Sequence, residues 1–157
     1  MKLYFKQKPI SLRQRTEIYD EQGNVIFTAL GELFSVARKM HIYDTNNSEV
    51  AFVQQRLMRL LPRFSVFVDG QYIADIVKEI AFFKQRYRIE GIDWTIDGDL
   101  FAHNYSIHSG GERIASIHKR WMSWGDSYEI EIVRETDIVL SLTVIVAIDC
   151  VLDASES

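Results

Sequence analysis

Hydrophobic and polar positions alternate along SYEIEIV (127–133), with Tyr128, Ile130 and Ile132 on one side and Ser127, Glu129 and Glu131 on the other. A period of two predicts a strand with one face in the core and one in water. Short β-rich segments of this kind recur from residue 2 to residue 133, each bounded by turn formers. Asp20–Asn24 separates TEIY from VIFTAL, Asp44–Ser48 separates MHIY from VAFVQQ, and Ser109–Glu112 separates HNYSIH from RIASIHK. Asp69-Gly70, between FSVFV and QYIADIV, is a strong signal for a two-residue hairpin. In FSVFV and YIADIV both faces carry apolar residues, so their orientation stays open. RLMRLLPR (56–63) reads as a helical turn or a loop, which Pro62 ends. About a dozen strands of ordinary length fit this interval, which points to an antiparallel barrel or sandwich.

The closing stretch DIVLSLTVIVAIDCVLDAS (137–155) breaks the pattern. Its charge-free run, Ile138 to Ile148, is shorter than the roughly 20 apolar residues of a membrane span, and no basic flank follows it. A helix of at least three turns is predicted from about Asp137 to about Asp149. Thr136 caps its first turn, Glu135 and Asp137 complement the positive end of the dipole, and Ser141 and Thr143 bond back to carbonyls one turn earlier. A helix apolar on every side must be buried on every side. Eight strands enclose only side chains or a small ligand, whereas about eleven can surround a helix. The fold class predicted is therefore mainly β, a closed antiparallel barrel of about twelve strands around a hydrophobic C-terminal α-helix. Asp149 would oppose the negative end of the helix dipole. A basic partner from the wall or emergence at the barrel mouth resolves this, and the mouth is the simpler expectation. Cys150 reads as a small buried hydrophobe.

The 157 residues, 47% hydrophobic and 25% charged, suit one globular domain spanning 1–157. With two prolines and eight glycines, no linker divides the chain. The net charge of −4 argues against nucleic acid as a partner and confines any anion site to a local patch. One cysteine excludes an internal disulfide and fits a reducing compartment. MKLYFKQKPISLRQR lacks the apolar run of a signal peptide, so a cytoplasmic location is expected.

Whole segments resemble the LURP-one-related family and its bacterial YxjI-like members, within the Tubby C-terminal-like domains. They are MKLYFKQKPISL, FTALGELFSVARKMHIYD, EVAFVQQRLMRLLPRFSVF, IVKEIAFFKQRYRIEG, IASIHKRWMSWGDSYEIEI and DIVLSLTVIVAIDCVLD, in order over nearly the full length. The resemblance implies a twelve-stranded barrel around a hydrophobic C-terminal helix. Related Tubby domains bind phosphoinositide head groups, and phospholipid scramblases are thought to share the fold. No catalytic residues carry over, and no phosphoinositide-binding motif is matched, so a lipid role is analogy at the level of fold.

No phosphate-binding glycine loop, metalloprotease motif, nucleophile elbow or zinc spacing is present. A non-enzymatic protein without cofactor or metal is expected. If Ser109–Glu112 closes a regular hairpin, His103 falls opposite His118, facing the apolar interior. Two imidazoles are short of the three or four ligands zinc needs, so the pair is expected to be empty. Lys84, Arg86 and Arg88 share one strand face, with Phe83, Tyr87 and Ile89 on the other, inward face. Arg56, Arg59 and Arg63 surround Leu57, Leu60 and Leu61. Lys119, Arg120 and Trp121, with Trp124 nearby, mix cations and indoles. Each cluster reads either as a solvated or packed surface feature or as an anionic ligand site. The function expected is an intracellular binding module for anionic lipid head groups or another anionic ligand. The alternatives are a protein-interaction scaffold and a small-molecule carrier with a pocket at the barrel end near His103 and His118.

Overall fold

A computed structural model describes residues 1–6, 15–32, 35–122 and 125–155. The strands are β1 (Lys2–Phe5), β2 (Thr16–Tyr19), β3 (Val25–Gly31), β4 (Lys39–Tyr43), β5 (Glu49–Gln55) and β6 (Arg63–Val68). They continue with β7 (Gln71–Ala81), β8 (Lys84–Glu90), β9 (Trp94–Asp99), β10 (Asn104–Ser109), β11 (Glu112–Met122) and β12 (Gly125–Ile132). A 3₁₀ turn, Glu135–Asp137, leads into α1 (Ile138–Ser155).

All twelve strands form one sheet in the order β8-β7-β6-β5-β4-β3-β2-β1-β12-β11-β10-β9. Every ladder is antiparallel, and β1 pairs with β12 to bring the two ends of the meander together. β8 and β9, consecutive in the chain, stand at the two ends of that order. The barrel is nearly closed, with one seam. Asp69 and Gly70 adopt φ of 50° and 75°, the left-handed pair that a two-residue hairpin turn needs. At Gly98, φ is 121° and an added Cβ would lie 2.6 Å from the Asn104 carbonyl oxygen, so only glycine lets β9 and β10 approach so closely.

Residues Ser141 to Leu152 of α1 are all buried, and the helix packs closest to β5, β6 and β7. Small inward residues, Ala51 and Ala74, give it room there. Large ones, Trp94, Tyr105 and Tyr128, fill the opposite side. The helix is long and apolar enough to cross a membrane by composition, yet here the strands supply its apolar surroundings.

Several expectations need correction. The helix runs six residues past Asp149, to Ser155, and starts after a 3₁₀ turn that contains Thr136 and has no side-chain cap. Thr143 does bond back to the Val139 carbonyl at 2.6 Å, whereas the Ser141 hydroxyl finds no partner among the described residues. Asp149 does not emerge at the mouth; it is 5% exposed and meets His103. Glu129 lies on the outer face as predicted but is only 1% exposed. Arg120 and Lys2 close over it; burial pushes its carboxyl up, but Arg120, with Tyr4 and Lys2, holds it below the ordinary range. Outer need not mean wet.

Candidate functional site

In an antiparallel meander, alternate connections fall at opposite ends of the barrel. The β2–β3, β4–β5, β6–β7, β8–β9 and β10–β11 connections share one end with the entry to α1. Those are tight and polar, carrying Asp20, Glu21, Asp44, Asp69, Asp93 and Glu135, while Arg134 pairs with Asp137. The other end collects the β1–β2, β3–β4, β5–β6, β7–β8, β9–β10 and β11–β12 connections, with the last turn of α1. Its described connecting residues include Lys6, Arg15, Arg38, Arg56 and Arg59, against Glu32. A net acidic chain is thus folded into a molecule with one basic end.

That basic end is also apolar. Met58, Leu60, Phe82 and Phe83 are fully or almost fully exposed, and Trp121 is 80% exposed. Phe82 and Phe83 are the two residues of the β7–β8 turn, since Ala81 pairs with Lys84. Their φ values are 52° and 64°, and Met58 has φ of 59°. At the polar end the same left-handed conformation is taken by Asn47, Asp69 and glycines, which tolerate it. A bulky side chain in this region is an outlier. Three such outliers at one end, all projecting apolar groups into solvent, are costs that local folding does not explain. Phe83 was expected to face inward with Tyr87 and Ile89. Only Tyr87 and Ile89 do so, because residue 83 precedes the strand and belongs to the turn.

A cleft of about 320 Å³ opens at this end, lined by Arg38, Arg56, Arg59 and Lys78 together with Leu60, Leu61, Pro62, Ala154 and Ser155. Arg38 is paired with Asp153 at 3.1 Å, and Arg56 donates from Nε to the Ser65 hydroxyl at 2.6 Å. Arg59 and Lys78 form no ion pair with the described residues. The carbonyl end of α1 faces the same cleft, and the converging cations offset it. Arg38 and Lys78 were missed by sequence reading because they are isolated in the chain and converge only where the β3–β4 connection and β7 line the same cleft.

The other anticipated cations separate into committed and uncommitted ones. Arg63 donates to Asp75 at 2.7 Å and to Glu90 at 2.6 Å. Arg88 is held by Glu79 at 2.8 Å and by Glu90. With Ser65 donating to Asp75 at 2.5 Å, these groups form a polar chain from Arg56 across β6, β7 and β8. Glu90 titrates below the usual carboxylate range, chiefly because Arg63 bonds to it. Arg120 is bound to Glu129 at 2.5 Å. Lys84 and Arg86 are exposed and form no ion pair with the described residues, whereas Lys119, exposed near the mouth, is not without a partner. The stripe on β8 therefore offers two available cations rather than three. Trp124 lies outside the described residues. Trp121 is an exposed indole.

The expected pairing of His103 with His118 does not occur. A bulge between Ile107 and His108 shifts the β10–β11 register by one, so Tyr105 rather than an even-numbered neighbour faces Ile117. A one-residue slip reverses the faces. His118 turns outward to Glu129 at 3.4 Å, while His103 sits in the β9–β10 connection, φ 53°, and turns inward to Asp149. Among the described residues, no three histidine, cysteine or carboxylate side chains cluster as metal ligands would.

Comparison with known proteins agrees with this architecture. A family profile described as LURP-one-related matches residues 1–149. The chain is 32% identical over 159 aligned residues to the uncharacterized protein YxjI of Bacillus subtilis (strain 168), covering 100% of this chain and 98% of that one. A protein from Arabidopsis thaliana, solved by X-ray crystallography, has the same fold, with a TM-score of 0.61 at 16% identity, covering 95% of this chain and 90% of that one. By its sequence and by its twelve-stranded barrel around a C-terminal helix, the chain belongs to the LURP-one-related family.

Proposed function

We propose that this protein is a non-enzymatic, cytoplasmic binding module that docks its basic, apolar barrel end on anionic lipid head groups. The observation that carries the reading is the set of strained, exposed side chains Met58, Phe82 and Phe83 beside the uncommitted cations Arg59, Lys78 and Lys84. Exposed apolar groups in costly backbone conformations are explained if they enter an interface. Each carried out of water contributes on the order of 1.5–3 kcal/mol, and each cation near an anionic surface about 1 kcal/mol. The acidic opposite end is repelled by the same surface, so the field orients the molecule. The cleft between Arg56, Arg59 and Lys78 has the size and charge to hold one phosphate-bearing head group.

Sedimentation with vesicles tests this. The protein should pellet with phosphatidylglycerol-containing vesicles, remain in solution with phosphatidylcholine alone, and be released by high salt. The double variant Arg59→Gln/Lys78→Gln should bind several-fold more weakly while keeping its melting temperature. Equal pelleting with neutral vesicles, or none with anionic ones, would overturn the reading and leave an acidic protein as the partner of this end.

A further inference from the structure

The seam between β8 and β9 is not merely a missing ladder. A second cleft, about 580 Å³, opens there, lined by residues of both strands. Its volume lies within the range of small-molecule sites, roughly 300–1,000 Å³. It is separate from the docking cleft and is lined by different residues.

Strand alternation gives the cleft two chemically distinct zones. Tyr87 and Ile89 of β8, with Trp94 and Ile96 of β9, line it from the inner face and pack on the core. Arg86 and Arg88 line it from the outer face. Arg88 is committed to Glu79 and Glu90. Arg86 forms no ion pair with the described residues, so it is the rim cation open to a ligand. Deeper in, the Tyr87 hydroxyl is buried and has no hydrogen-bond partner among the described residues. A buried hydroxyl without a partner is uncommon and calls for an explanation. Across the seam, Phe101 meets Tyr87 edge to face at 6.1 Å, so an apolar contact rather than backbone pairing bridges this part of the wall. The helix packs closest to β5, β6 and β7, so the wall behind the cleft is built of side chains, which shift more readily than a helix.

We propose that the β8–β9 seam is a binding site for a single-chain anionic amphiphile. Its alkyl chain lies along Ile89, Trp94 and Ile96, its head group is held at the rim by the Arg86 guanidinium, and the oxygen that joins head to chain accepts from the Tyr87 hydroxyl deeper in. A polar rim over an apolar interior matches an amphiphile, and neither a purely polar anion nor a neutral hydrocarbon uses both zones. The inference does not depend on membrane docking, since a soluble monomeric amphiphile can reach the seam from outside.

Calorimetric titration with decyl phosphate below its micellar concentration tests the site, with inorganic phosphate and decyl maltoside as the two half-ligands. One decyl phosphate should bind per chain, at least tenfold more tightly than either control. Arg86→Gln, at an exposed position, should weaken it about tenfold with an unchanged melting temperature. Tyr87→Phe should weaken it several-fold, and Ile96→Trp, which fills the cleft, should abolish it. The Arg59→Gln/Lys78→Gln variant should retain full affinity for decyl phosphate, which separates this site from the docking face. Binding at several equivalent sites, equal binding of decyl maltoside or inorganic phosphate, or an unchanged affinity in Arg86→Gln would overturn the proposal.

Discussion

His103 Nε2 lies 3.1 Å from Asp149 Oδ1, joining the β9–β10 connection to the buried helix near the basic end of the barrel. Both residues are nearly inaccessible, and the Tyr128 ring stands edge-on against the imidazole at 4.9 Å. The contact ties a backbone position of positive φ, at His103, to a helix whose residues Ser141 to Leu152 are all buried. A carboxylate in such a place is tolerable when it is hydrogen-bonded. His103→Ala should therefore destabilise the protein by about 2–3 kcal/mol. In Asp149→Asn, the same histidine truncation should cost less. Denaturant unfolding of the four proteins of this cycle would give the coupling energy; a value near zero would remove the pair from any structural role.

Ile145 is fully buried midway along α1. Ile145→Asp places a carboxylate in a dry core with no partner built for it, and should prevent folding. Ile145→Val should cost only about 0.5–1.5 kcal/mol. A soluble Ile145→Asp protein with a native near-ultraviolet circular dichroism spectrum would contradict the enclosed helix.

Phe82 and Phe83 form a two-residue hairpin turn that Asn-Gly would form with less strain. Left-handed backbone costs a bulky residue about 1–2 kcal/mol. Phe82→Asn/Phe83→Gly should therefore raise the melting temperature by several degrees while reducing pelleting with anionic vesicles. Stability and function move in opposite directions only if the phenylalanines are kept for a contact outside the fold. A variant that is both more stable and binds vesicles undiminished would detach the turn from docking.

His41 lies between two carboxylates, with Nε2 2.7 Å from Glu32 and Nδ1 against Glu49. Burial disfavours its charge, but the bonds to Glu49 and Glu32 prevail and lift its pKa above the ordinary histidine value. A raised folded-state pKa means that the contribution is complete below the unfolded value, about 6.5, and is lost as pH rises through the folded one. Thermal stability should fall over this interval above pH 6.5 in the parent and fall less in His41→Gln. Parallel profiles for the two proteins would show that the triad does not titrate in that window.

Much of the barrel was legible because its causes are local. Period-two alternation, turn residues such as Asp69-Gly70 and an all-round apolar helix each act over a few residues, and the size of that helix sets the number of strands that can enclose it. The cation clusters on β8, on the β5–β6 connection and on β11 were legible too, as were the inward faces of Tyr128, Ile130 and Ile132. What those cations do was not. Arg63, Arg88 and Arg120 are neutralised by carboxylates from neighbouring strands, and register alone decides which residues lie opposite. One bulge at Ile107/His108 separated His103 from His118, an event too small for periodicity to register. The gathering of basic and apolar connections at one end, the convergence of Arg38 and Lys78 on Arg59, and the unpaired seam beside Arg86 follow from the closing of a meander in space. Residues set the strands, but only their assembly into a ring brings distant connections to a common face.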